Sequence, residues 1–118
     1  MGTKKEDKRR EPRVAHKAIV IMAYGEGENL AFENAELVDC SPHGLAILFH
    51  RPLSVGDHFL LKLKLNQTLL VRYVVRYCQS AGRRMFRIGG ELAGHVGGAE
   101  EIEPDVLFNA LIASRTAG

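Results

Sequence analysis

Two short stretches of this 118-residue chain hold side chains able to recognise an anion. The first, "KRREPR" (8–13), sets Arg9, Arg10 and Arg13 on an arm just ahead of the first apolar segment. A guanidinium offers its donors in a planar fork that matches a phosphate with two parallel hydrogen bonds, and a lysine ammonium cannot do the same. The second, "DCSPHG" (39–44), closes an early apolar run. If the backbone stays extended there, Asp39 and Ser41 point to one sheet face. Asp39 then accepts from a nucleobase N–H, Ser41 donates to a phosphate or accepts from a base amine, and Gly44 is free to take a positive φ and turn the chain sharply. Taken alone, the second stretch is also what an ordinary turn contains.

The charge distribution sharpens the first of these. Residues 1–13 carry six Lys/Arg against three Asp/Glu, which leaves the remaining residues with ten against eleven. A cationic arm on a nearly neutral body points to an anionic partner: nucleic acid, nucleotide or lipid headgroup. A solvated tail would have the same composition.

Catalysis finds little support. Cys40 and His43 are three apart, a pairing that can make a nucleophile and its base, but a Pro-containing turn between them does not ensure the geometry and no oxyanion site accompanies them. His16, His43, His50, His58 and His95 fall on different elements without HExxH or Cys/His metal spacing, and there is no GxxxxGK[ST] loop. The chain is read as a non-enzyme with neither metal nor cofactor. Cys40 and Cys78 form no CxxC pair and are read as reduced thiols. No run approaches the roughly 20 apolar residues of a membrane span, and "MGTKKEDKRREP" lacks the apolar segment of a secretory signal, so the expected location is the cytoplasm.

These candidate residues need elements to position them. After Arg13 the chain alternates short apolar runs with turn chemistry: 14–24, 30–39, 45–50, 58–66, 68–79 and 83–92 read as strands. In 58–66, Phe59, Leu61, Leu63 and Leu65 oppose Lys62 and Lys64; in 68–79, Val71, Tyr73, Val75 and Tyr77 oppose Arg72, Val74, Arg76 and Cys78. "IGGEL" lies within a strand, where glycine marks a bulge or close backbone approach. About six strands without interleaved helices predict an all-β fold, a small antiparallel six-stranded barrel or compact sandwich. The glycine-rich 94–103 reads as a loop, and "PDVLFNALIASR" (104–115) as a C-terminal α-helix with Pro104 in its first turn and Arg115 at its far end. The expected organisation is a flexible basic arm at 1–13 and one barrel domain at 14–118, with the helix beginning at about 103.

Arg9-x-x-x-Arg13 followed by Asp39-x-Ser41-x-x-Gly44 at the end of an early strand resembles the PilZ domain family, whose motifs are RxxxR and [D/N]xSxxG. "PLSVGDHFLLKLKL", "VVRY" and "RIGGEL" are similar to its later strands, with Gly89 at the family's glycine and Leu92 where an aromatic is usual. The resemblance runs from about Lys8 to Ala113. It implies a PilZ-like β-barrel that binds the bacterial second messenger cyclic di-GMP through Arg9, Arg10, Arg13, Asp39, Ser41 and Gly44. The arm would close over the ligand as a clasp, with Arg10 secondary to the motif pair. Ordering the arm costs about 1–2 kcal/mol per residue, comparable with the 1.5–3 kcal/mol of each charge-assisted bond it makes, so binding is expected to couple to arm ordering. The implied role is a stand-alone receptor that presents its ordered arm to a protein effector in motility, exopolysaccharide or biofilm control.

Two other readings stay open. One is a barrel binding single-stranded nucleic acid, which needs aromatic stacking platforms; aromatic content is 7% with no Trp, and Tyr73 and Tyr77 share the alternation of core residues. The other is a PilZ-like scaffold that binds only protein.

Overall fold

Period-two alternation places one side of each strand in a common interior, and six such strands close on themselves. A computed structural model of the chain describes residues 11–25, 30–64, 68–96 and 103–113. The strands are β1 (Val14–Tyr24), β2 (Ala31–Ser41), β3 (Gly44–Phe49), β4 (His58–Lys64), β5 (Thr68–Ser80) and β6 (Phe86–Val96), followed by helix α1 (Pro104–Ile112). Every pairing is antiparallel, and the order β1-β2-β3-β6-β5-β4 forms a closed barrel. Closure comes from Ile21–Ala23 of β1 against Leu60–Lys62 of β4, so neither strand is left as an open edge there. The expected six-stranded antiparallel barrel with a C-terminal helix is the fold observed.

The interior is built from the inward positions of the strands. Phe59 and Tyr73, both buried, stack across β4 and β5 with ring centroids 5.7 Å apart. Pro104 opens α1 where its missing N–H is not needed, and Leu107 and Leu111, one turn apart, are buried and add to the core. The helix packs against β2 and β4. It stops at Ile112, with the Ala113 amide donating to the Asn109 carbonyl at 3.0 Å. Arg115 lies outside the described residues. Among these residues no helix is long and apolar enough to cross a membrane.

In extent, β2 and β6 depart most from the sequence reading. β2 does not end at Asp39: it continues through Cys40 to Ser41, which pairs with Gly44, and only Pro42 and His43 make the turn. β6 starts at Phe86 because Gly82, Arg83 and Arg84 all take positive φ (83°, 52° and 61°) in a tight hairpin held by the Ala81 amide on the Met85 carbonyl at 2.8 Å. The same strand runs on to Val96, into the segment read as loop.

A further difference, on β5, reorients side chains. On β5, Val75 pairs with Gly90 but Tyr77 pairs with Gly89, so Arg76 is an extra residue bulged out of the ladder. The slip exchanges the faces beyond it. Cys78, read as outward, packs against the core, and Tyr77, read as core, lies on the outside.

Glycine is required at β6 by proximity. A Cβ on Gly90 would come within 2.9 Å of the Phe59 ring and 3.2 Å of the Tyr73 Cβ, both held in the packed interior. Gly90→Ala is therefore expected to destabilise the barrel by about 1–3 kcal/mol through overpacking, read as a lower urea midpoint with an unchanged denaturant slope.

Candidate functional site

The turn at Pro42–His43 and the bulge at Arg76 frame a cleft on the outer wall. It has a volume of about 620 Å³ and is lined by residues of the β1 approach, the β2–β3 turn, β5 and β6, among them Arg13, Ser41, Gly44, Tyr77 and Gly89. Small-molecule sites span roughly 300–1,000 Å³. The space is of the right order for a nucleotide-sized ligand.

Cys40 explains why Asp39 and Ser41 face this side. Its side chain is wholly buried in the core, so its two neighbours on an extended strand project outward together. Asp39 is gripped from two directions: Arg13 donates to Oδ1 at 2.9 Å and Arg87 to Oδ2 at 2.8 Å. Arg87 also donates through Nε to the Tyr77 hydroxyl at 3.3 Å, and that hydrogen bond, together with the Asp39 carboxylate, raises the already high pKa of its guanidinium against the effect of burial. With the Arg13 side chain 47% exposed, solvent screens its pair, and such a bond contributes below about 1 kcal/mol to stability. Its effect is to hold a fork in place.

Gly44 acts differently from the sequence reading. It does not take a positive φ; it sits in β3, paired with Ser41 and Glu91. A Cβ there would crowd the Gly90 carbonyl oxygen at 3.1 Å and the Arg13 guanidinium at 3.3 Å. Its bareness lets Arg13 lie against the wall. Gly89 does the same for Tyr77, whose ring would be 2.1 Å from an added Cβ.

On the β2–β3 turn the Glu11 carboxylate accepts from the His43 amide at 3.1 Å and lies 2.6 Å from His43 Nδ1, while the Ser41 hydroxyl donates to it as well. Burial pushes the Glu11 carboxyl up, but the bonds from His43 and Ser41 outweigh it, and the net shift is downward. Across the cleft Arg76, the bulged residue, pairs with Glu91 at 2.5 Å.

The structure thus brings Arg13, Asp39, Ser41 and Gly44 to one place, whereas Arg9 and Arg10 lie outside the described residues. So does most of the segment read as a flexible arm; of its last three residues, Glu11 and Arg13 are bonded to the barrel. Sequence reasoning missed Arg87, Arg76, Tyr77, His43, Glu11 and Glu91. Arg87 had a signal: with Gly89 and Glu91 it alternates along one face of β6. Tyr77 had none, because a one-residue slip leaves no mark in composition.

The Cys40–His43 pair is separated by the strand itself. Cys40 faces the core, and burial, reinforced by the Asp39 charge and partly offset by Arg13, pushes its thiol up to about 11, while His43 faces Glu11. Among the described residues no group of three His, Cys, Asp or Glu is placed to hold a metal ion.

The family model of the PilZ domain matches residues 7–97. The fold is similar to the solved structure of the Bacillus subtilis inhibitor of motility (MotI/DgrA), with a TM-score of 0.52 and 17% identity over 76% of this chain. The match spans 44% of that chain's length. No curated protein matches.

Two outcomes follow from the site's geometry. Because the Glu11 carboxyl is lowered from 4.5, its contribution to holding residues 11–13 on the barrel is complete above about pH 5 and is lost as pH falls through the ordinary carboxylate value to the lower folded one. Nuclear magnetic resonance shifts of the His43 amide should follow that transition in the native chain and be flat in Glu11→Gln over the same range. Gly89→Ala is expected to expel the Tyr77 ring from its seat on β6 while leaving the core packed, seen as a change in tyrosine fluorescence with a melting temperature lowered by a few degrees at most, about 1 kcal/mol.

Proposed function

This chain belongs to the PilZ domain family, and from that premise we propose that it is a receptor for cyclic di-GMP, bound by Arg9, Arg10 and Arg13 of the arm and by Asp39, Ser41 and Gly44 of the barrel wall. The observation that carries the reading is the meeting of the two motifs: the Arg13 fork rests on Asp39 beside Ser41 and the glycine-floored cleft. The ligand suits these groups. It has two phosphodiester charges for guanidinium forks and guanine edges that offer acceptors to arginine and N–H donors to a carboxylate.

Asp39 can serve in both states. Without ligand it neutralises Arg13 and Arg87; with ligand it can accept from a guanine N–H while the forks turn to phosphate or to O6/N7. Ordering of the arm over the bound dinucleotide then changes the surface offered to a protein effector. The likeness to a protein described as an inhibitor of motility supports motility control as the pathway. Tyr77 gives the cleft one ring able to stack on a base, whereas a track for single-stranded nucleic acid needs successive platforms.

Titration calorimetry with cyclic di-GMP tests the assignment. The native chain should bind. Arg9→Ala, Arg13→Ala and Asp39→Ala should each weaken binding about tenfold or more, the loss of one or two charge-assisted bonds, and Arg13→Lys should not restore it because the fork is gone. Arg13→Ala should leave the urea midpoint nearly unchanged. Unaltered affinity in all three alanine variants would overturn the site, and tighter binding of single-stranded DNA than of the dinucleotide, steeply reduced by salt, would favour the nucleic-acid reading.

A further inference from the structure

The β2–β3 turn holds an anion seat whose occupant belongs to the same chain. Three donors converge there on one carboxylate: the Ser41 hydroxyl, the His43 amide at 3.1 Å and the His43 ring at 2.6 Å from Glu11. The seat is positioned independently of its occupant. The His43 carbonyl accepts from the Leu92 amide at 2.8 Å, which ties the turn to β6, and Ser41 pairs with Gly44 across the turn while only 4% exposed.

Glu11 is delivered to the seat by the segment that delivers Arg13. Pro12 fixes its own φ and biases the preceding residue toward extended backbone, so Glu11 and Arg13 fall on the same side of the chain and both reach the barrel. A carboxylate held by a hydroxyl, an amide and an imidazole presents the same acceptor pattern as two non-bridging oxygens of a phosphate. Glu11, Ser41 and His43 all line the cleft.

We propose that Glu11 is a tethered competitor for a phosphate-binding seat formed by Ser41 and His43, and that it must swing out before a phosphodiester of the ligand can dock. The identity of that ligand rests on the receptor reading above; the seat does not. A tethered group acts at an effective concentration of millimolar order. If it fills the seat nine-tenths of the time, the apparent affinity for ligand is reduced about tenfold, because only the open fraction is competent to bind. His43 then becomes a phosphate contact, and the residue inside the arginine motif sets the threshold at which the receptor responds.

The test uses Glu11→Gln, which preserves side-chain size, and Glu11→Ala, in two titrations on the full chain. By calorimetry both variants should bind cyclic di-GMP about tenfold more tightly than the native protein. By amide shifts, inorganic phosphate should perturb Ser41 and His43 in the variants at concentrations that leave the native protein unmoved. Equal or weaker dinucleotide affinity in both variants, with native binding intact, overturns the competitor and leaves the receptor reading standing. Failure of all three proteins to bind the dinucleotide overturns the receptor reading instead, and the phosphate titration then decides the seat: no shift at Ser41 or His43 in either variant removes it.

Discussion

Bare backbone at three neighbouring positions, Gly44, Gly89 and Gly90, is the constraint on which the rest of this molecule depends. Gly90 leaves room for Phe59 inside the barrel, Gly89 for the Tyr77 ring outside it, and Gly44 for the Arg13 guanidinium. Two of the three contacts build the cleft and the third lets the core close beneath it. A side chain at Gly90 would overpack the interior, because packed interiors respond to even one added methyl group, whereas one at Gly89 or Gly44 would displace the Tyr77 ring or crowd the Arg13 fork.

On that wall the charges are arranged in carboxylate-centred sets. Asp39 draws Arg13 from the approach to β1 and Arg87 from β6, Glu11 lies over the β2–β3 turn, and Glu91 holds the bulged Arg76. The Arg13, Arg76 and Arg87 side chains are all more than a third exposed, so screening leaves them little to add to folding stability. What they supply is preorganisation. Forks already stationed beside the cleft forfeit less side-chain freedom when an anion arrives, and carboxylates that neutralise them in the meantime are groups a ligand can replace or share.

Much of the barrel was legible because strand identity is a local property. Phe59, Leu61 and Leu63 alternate with lysine, and their burial follows directly. The two motifs were legible as residue types at fixed spacing, and Cys40 between Asp39 and Ser41 was enough to turn both outward. Legibility failed where a residue's surroundings come from elsewhere in the chain. Gly44 looked like a residue chosen for a left-handed turn, yet its neighbours are the backbone of Gly90 and the side chain of Arg13, and it is close approach that excludes a Cβ. Glu11 counted only as one of three acids among residues 1–13, and its partner His43 lies 32 positions away.

Local pattern was therefore sufficient for the number of strands, their inward faces, the terminal helix and the chemistry of the arginine and Asp-x-Ser motifs, since each depends on residues within a few positions of one another. Tertiary structure alone decided which outward groups meet. The extra residue at Arg76 slips β5 by one position against β6, moving Tyr77 from the interior to the cleft and Cys78 the other way. Arg87 finds Asp39 from 48 positions away. Pairing register is a property of two strands brought together by the closing barrel, and a slip that costs one ladder position inverts every side chain beyond it without altering a single neighbour in the chain.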